Sequence, residues 1–333
     1  MKKVVLFLLV FVFALNKSDA QTCLPEGINF STQSQIDSFM INYPGCTGIE
    51  GFVIVGAENG WDDIDIANFD SLINVTSIGE YLKLWNNDPL SDLTGLNNLT
   101  SIGGDLLIES NSSLESLNGL DNLTSIGGEM KIYANNYMTS TEGVNSLSSI
   151  GGDLKVQNNN ALPSVSGLSS IETINGDLII MSNYSLLSLE GLNSIAASSI
   201  TSLNITSNSS LTDCAVQSVC DYLDLAENVV SISNNAGGCN NVSEVEQACV
   251  SLSVEELNAE SQWSIYPNPA TSMVYISSNQ TIDKVYTYNH IGQLAIQELS
   301  IVNSIDVSSL SPGVYIIEVE AGDTKQRKKL IIE

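Results

Sequence analysis

Residues 77–196 are five copies of one 24-residue unit laid end to end. The copies open SIGEYLKLWNN, SIGGDLLIESN, SIGGEMKIYAN, SIGGDLKVQNN and TINGDLIIMSN, and each closes on a pattern such as LESLNGLDNLT. A unit this short cannot bury its own apolar side and does so only by stacking on its neighbours, so the period predicts a solenoid. The second residue of each unit is Ile78, Ile102, Ile126, Ile150 or Ile174, and the sixth and eighth are aliphatic or Met, as in Leu106 with Ile108. That two-residue spacing is the period of a strand. Apolar residues then recur at steps of three, through Leu114, Leu117, Leu120 and Leu123 to the next unit's Ile126. Three fits neither a 3.6-residue helix nor a pleated strand, which predicts an arc of turns with its apolar residues aimed at the axis.

The eleventh residue is Asn87, Asn111, Asn135, Asn159 and Asn183 in turn, and the nineteenth is always Gly, from Gly95 to Gly191. Stacking places one amide above another, and a buried amide needs partners, so the asparagines are expected to form a structural ladder. Gly at a fixed place is expected to supply positive φ, and the Gly-Gly pair at Gly103 and Gly104 a sharp turn into the strand. The pattern of Leu106, Ile108, Asn111 and Leu114 resembles the leucine-rich repeat, and more specifically the receptor L domain. The resemblance implies a right-handed parallel β solenoid of 24-residue coils with short capping helices. Four rather than three steps separate Ile102 from Leu106, and no helix-period segment occurs, so a flat, mainly β coil is expected.

Residues 1–20 read as a secretory signal peptide, with Lys2 and Lys3, an apolar run over 4–15 and Ser18-Asp19-Ala20 at the cleavage site. No membrane-spanning segment is expected in the mature chain. Residues 21–249 are assigned to the solenoid. Ser31 or Thr32 is expected to cap a short helix burying Ile36, Phe39 and Met40, between Cys23 and Cys46. Asp62, Asp63 and Asp65, in an insertion, are weak Ca²⁺ candidates that lack the Gly and Glu spacing of a calcium loop. A seventh coil carries Leu203, Ile205 and Asn208, and Asp213 is expected to cap a closing helix through Leu225. Cys214, Cys220, Cys239 and Cys249 cluster there, and six cysteines in an exported chain read as disulfides, with Cys214–Cys239 and Cys220–Cys249 favoured.

Residues 250–262 are polar and acidic and read as a linker. Short alternating runs over 263–333 (MVYIS, KVYTY, LAIQ, VYIIEVE, KKLIIE) predict an immunoglobulin-like β-sandwich. Tyr266-Pro267-Asn268-Pro269-Ala270, then Tyr288 to Gly292, then Pro312-Gly313-Val314-Tyr315, then Lys328-Lys329-Leu330-Ile331 resemble the type A sorting domain of type IX secretion substrates. The second motif departs from the pattern, with Asn289 where Asp is usual. The resemblance implies docking at the type IX translocon and removal by its sorting protease.

The formal net charge is −27, and residues 21–260 hold 30 acidic side chains against Lys83, Lys131 and Lys155. Such a surface repels phosphate backbones, which argues against a nucleic-acid partner. All three lysines occupy the seventh, outward position of a coil, near the fifth-position carboxylates Asp105, Glu129, Asp153 and Asp177. Tyr81, Trp85, Leu107, Tyr133, Ile179 and Met181 share that face. With rungs ~4.8 Å apart they form one strip suited to a glycan or a protein ligand. No nucleophile, His dyad, phosphate loop or metal spacing occurs, and no cofactor is implied. A non-catalytic secreted or cell-surface binding protein, an adhesin, is the expected class. The alternatives are a β-helix enzyme acting on acidic polysaccharide through Asp105, Glu129, Lys131, Asp153 and Lys155, or a structural spacer.

Overall fold

The computed structural model describes residues 21–56, 64–256, 263–278, 281–289, 293–298, 303–321 and 324–333. Residues 1–20, read above as a signal peptide, lie outside them, as do Asp62, Asp63, His290, Gly292 and residues 257–262 of the segment read as a linker. The chain divides into two compact units, Met1–Val242 and Ser243–Glu333.

The first unit is a stack of coils carrying two parallel sheets. Nine strands form one, from Ile28–Phe30 and Val53–Val55, through Leu82–Trp85, Leu106–Glu109, Met130–Tyr133, Leu154–Gln157 and Leu178–Met181, to Leu203–Thr206 and Val230–Ser233. Seven two-residue strands form the other, running from Thr22–Cys23 to Thr173–Ile174. Register is in phase with the repeat: Met130 pairs with Leu106 on one side and Leu154 on the other. The second, sixth and eighth residues of each coil and the Leu114, Leu117, Leu120 and Leu123 series are all buried. Stacking therefore turns a 24-residue period into continuous apolar columns. The step of three has a second source, which the sequence reading passed over. Residues Ser166–Leu168 and Glu190–Leu192 are 3₁₀ turns, whose three residues per turn match that step.

The fixed glycines answer to space more than to φ. Gly95, Gly119 and Gly143 have φ of 104°, 113° and 114°. At Gly167 and Gly191 no positive φ occurs, yet a Cβ there would lie 2.2 and 1.9 Å from the carbonyl oxygens of Thr141 and Val165. The backbone of one coil touches the next at this corner, and any side chain would force the stack apart. The same holds at Gly103, where a Cβ would sit 2.0 Å from Gly79 O.

Positive φ also recurs, in all five coils, at the tenth residue, where Asn86, Ser110, Ala134, Asn158 and Ser182 lie between 55° and 57°. This left-handed residue ends each strand and swings the following Asn inward. Asn tolerates the conformation and Ala does not, at a cost of roughly 1–2 kcal/mol. Ala134→Gly is therefore expected to raise stability by about 1 kcal/mol, read as a higher urea midpoint, and Ala134→Val to lower it.

At the N-terminal end, Thr32 and Gln35 form a capping box on Gln33–Asp37, and a second short helix follows at Phe39–Asn42. Ile36 and Phe39 are buried, but Met40 is not, because the break at Ser38 rotates it outward. Cys23 is bonded to Cys46, and Cys214 to Cys239. Cys220 and Cys249 are disulfide-bonded too, leaving no free thiol.

Asp213 does not cap the closing helix, which spans Gln217–Leu223 with Val216 at its N-cap. Asp213 still belongs to the stack: it bridges Ser188 of the coil before, and its carboxylate accepts from Ser188 Oγ at 2.9 Å. A further coil, Val230–Ser233, follows this helix and was not anticipated, since the inserted helix disguises the repeat.

In the second unit, the helix Val242–Glu256 runs through seven residues that composition assigned to a linker, 250–256. A polar, acidic composition does not by itself distinguish the end of a helix from a tether. Beyond it stand a three-stranded and a four-stranded antiparallel sheet. Between them lies a core including Trp263, Val274, Val285, Ile317 and Leu330. Strands Trp263–Tyr266 and Ser304–Asp306 add to the runs read from sequence.

Candidate ligand face and the sorting motifs

The asparagines set the frame on which the outward side chains stand. Asn87, Asn111, Asn135, Asn159, Asn183 and Asn208 are fully buried. Each Oδ1 from Asn111 to Asn208 accepts the backbone N–H of the Asn one coil earlier, at 3.0–3.1 Å. Each Nδ2 donates to a strand carbonyl of the preceding coil, as Asn135 does to Ile108 O at 2.9 Å. The ladder ends at Asn235, which the sequence reading missed although Val230, Ile232 and Asn235 keep the spacing of Leu106, Ile108 and Asn111.

Alternation along each strand buries its first and third residues and leaves the second and fourth half exposed. Two columns result on the outer face of the nine-stranded sheet. Lys83, Leu107, Lys131, Lys155 and Ile179 form one; Trp85, Glu109, Tyr133, Gln157 and Met181 form the other. Tyr81 stands beside them, its ring stacked on Phe52 at 5.2 Å between centroids.

Glu109 centres the face, a role that the sequence reading did not give it. Its carboxylate takes Lys131 at 2.6 Å from one side and Lys83 at 3.8 Å from the other. The same two ammonium groups lie over the rings of Tyr133 and Trp85, 4.9 and 4.3 Å from the centroids. Each lysine is thus held by a ring and a carboxylate together, which fixes the aromatic side chains beneath.

Lys155 bonds to Glu129 at 2.6 Å and to Asp153 at 2.7 Å. Burial by itself would raise the Asp153 carboxyl, but hydrogen bonds from Lys155 and from the Asp177 N–H, with the lysine's charge, hold it below the usual range. Burial would likewise lower Lys155, and its bonds to Asp153 and Glu129 raise it instead.

The carboxylates of the fifth position are partly committed elsewhere. Asp105 accepts the N–H of Glu129, and Asp153 that of Asp177, both at 2.8 Å. Asp65 accepts the N–H of Gln33 at 2.8 Å, tying the N-terminal helix to a neighbouring coil. Among the described residues no group of three or more His, Cys, Asp or Glu side chains is disposed to hold a metal ion.

In the second unit the motif residues converge on the chain's end. Asn268 Nδ2 donates to Lys329 O at 2.9 Å, and Ile331 N–H donates to Asn268 Oδ1 at 2.8 Å. Ala270 and Ile331, then Glu333 and Ala270, continue the same pairing through their backbones. Tyr266 stacks on Tyr275, and the Tyr315 hydroxyl donates to Ser311 O at 3.0 Å, closing the turn that holds Pro312 and Gly313. Asn289 Oδ1 accepts the Gln293 N–H at 2.9 Å, a hairpin bond that Asp would make equally.

Residues 264–333 match the family model described as secretion system C-terminal sorting domain, and residues 45–116 that described as receptor L domain. The chain joins a receptor L domain to a type IX sorting domain. Its sorting domain marks it for export to the cell surface or for secretion. Both are non-catalytic kinds of domain, and the first suggests a binding role. No curated protein matches the chain. Among the described residues, no helix is long and apolar enough to cross a membrane.

Proposed function

We propose that the receptor L domain is a non-catalytic recognition module, displayed at or released from the cell surface, which captures a glycan or a protein on the outer face of its nine-stranded sheet. The observation that supports this reading is the arrangement around Glu109, where Trp85 and Tyr133 flank one carboxylate and are pinned by the two lysines it binds. Rings whose positions are fixed before contact lose little entropy on binding, and Trp and Tyr are the residues most often found at the centre of binding surfaces. The pairing of all three lysines argues against the polysaccharide-cleaving alternative, because their charge is already neutralised where a reaction would need it. In this account the solenoid ends near residue 249. The sorting domain engages the type IX translocon, and the sorting protease cuts between the helix ending at Glu256 and the strand starting at Trp263.

The double variant Trp85→Ala/Tyr133→Ala tests the face. Both side chains point away from the core, so the melting temperature should hold while capture of ligand from a glycan and protein panel falls at least tenfold. Unchanged capture would move the binding surface elsewhere.

A further inference from the structure

Among the described residues between the two caps, three large apolar side chains are exposed, Tyr137, Tyr184 and Leu187, each by more than half. They are grouped rather than scattered. Tyr137 and Tyr184 lie in the turn that follows the ladder asparagine of the third and fifth repeats, and Leu187 follows Tyr184 in the same loop. The fourth repeat, between them, presents Ala161 and Pro163 at the same place. Stacking holds these coils in phase there: Asn160 Nδ2 donates to Asn136 Oδ1 at 2.8 Å, and Leu187 N–H to Pro163 O at 3.0 Å. Single exposed apolar residues are ordinary, whereas a group of them on one edge marks an interaction surface.

Charge narrows what can cover it. Residues 132–141, 156–171 and 178–189 hold no charged side chain, in a chain of formal net charge −27. Acids return on either side, at Glu115 in the second repeat and at Asp213 beyond the fifth. A basic partner would be drawn to the carboxylates elsewhere, and an acidic one repelled by them. Two copies of this chain repel each other too, except where both are uncharged. The patch also matches itself. Its bulk lies in the third and fifth repeats and its smallest residue, Ala161, in the fourth. Half a turn about an axis through the fourth repeat therefore sets Tyr137 of each protomer against Tyr184 and Leu187 of its partner, the same contact made twice. We infer that a second copy of this chain docks on this edge, the two stacks running antiparallel. Glu115 then faces Asp213 across the pair, and their repulsion bounds the contact to three coils, ~14 Å along the stack. A contact of that size belongs with the small, transient interfaces. None of the residues around Glu109 belongs to it, so the pair carries two such faces and gains avidity for any ligand displayed in many copies. The pairing itself does not depend on what that face binds.

The test is sedimentation equilibrium of the signal-free chain up to millimolar concentration, in low salt and in about 1 M salt, where the Debye length shrinks to about 3 Å. A monomer–dimer equilibrium is expected, strengthened severalfold by salt and weakened at least tenfold by Tyr137→Glu, a change at an exposed turn. Leu187→Glu serves equally should that variant fail to fold. Cysteine cross-linking reads the geometry separately. Ala161→Cys, on the axis, should join to its own copy under mild oxidation, whereas Ser113→Cys, in the same turn two repeats away, should not. A chain that stays monomeric at every concentration in both salts overturns the inference. So does a dimer that keeps its strength in the glutamate variants, or one that cross-links through Ser113→Cys as readily as through Ala161→Cys.

Discussion

Asn135→Leu is expected to destabilise the solenoid by about 3 kcal/mol, since an orphaned buried polar group costs about 1–3 kcal/mol and more than one is created. The side chain accepts from Asn111 N at 3.0 Å and donates to Ile108 O at 2.9 Å and Tyr133 O at 3.2 Å. Leucine fills similar space, so packing is nearly conserved and the loss isolates the polar network. Because the rungs share partners, the damage should spread to both neighbours. Amide exchange would show faster opening over 106–111 and 154–159 than at the ends of the stack. A denaturation midpoint equal to that of the parent protein would mean that the ladder is dispensable.

Deletion of residues 263–333 is expected to abolish delivery and leave the solenoid otherwise intact. The deleted residues hold their own core, built on Trp263, Val274 and Ile317, and include every sorting motif. In a host with type IX secretion, the truncated protein should accumulate folded in the periplasm. The deleted segment, fused to an unrelated passenger, should carry it out. A milder version uses the junction at Asn268, which fastens the last strand through Lys329 and Ile331. Asn268→Ala should lower export in proportion to the loss of stability of the second unit. Normal surface levels of the truncated protein would remove the sorting domain from the account.

What could be read in advance follows from how a solenoid is made. A coil's fate is repeated, so Ile102, Leu106, Ile108 and Asn111 each announce their environment five times over, and fold class and core are legible without structure. The sorting domain is legible for another reason, since its motifs are contiguous. Departures from the repeat were harder. The coil at Val230–Ser233 keeps the spacing of Val230, Ile232 and Asn235 but follows an inserted helix, so it falls out of phase.

Physical causes that sequence does not separate were confused as well. Glycine at the nineteenth position suggested positive φ, which holds at Gly95, Gly119 and Gly143 but not at Gly167 and Gly191, whereas close contact between backbones is common to all five; a second left-handed residue stands at the tenth position, where Asn, Ser and Ala give no single signal. On the outer face, sequence supplied the lysines and rings but not their pairing. Lys83 and Lys131 meet Glu109, at the ninth position of the intervening coil, rather than the carboxylates of the fifth. That partnership depends on side-chain reach across rungs, which register alone does not give.

Whether ligand meets the Glu109 face can be read by hydroxyl-radical footprinting of the exported protein on intact cells. Trp85, Tyr133 and Met181 lie on that face, while Tyr137 and Tyr184 lie in turns beyond the strands, 68% and 52% exposed. Contact with ligand-bearing cells is expected to lower oxidation of Trp85, Tyr133 and Met181 severalfold relative to the free protein, with Tyr137 and Tyr184 unchanged. Protection of Tyr137 and Tyr184 with Trp85 and Tyr133 oxidised as in the free protein would contradict it.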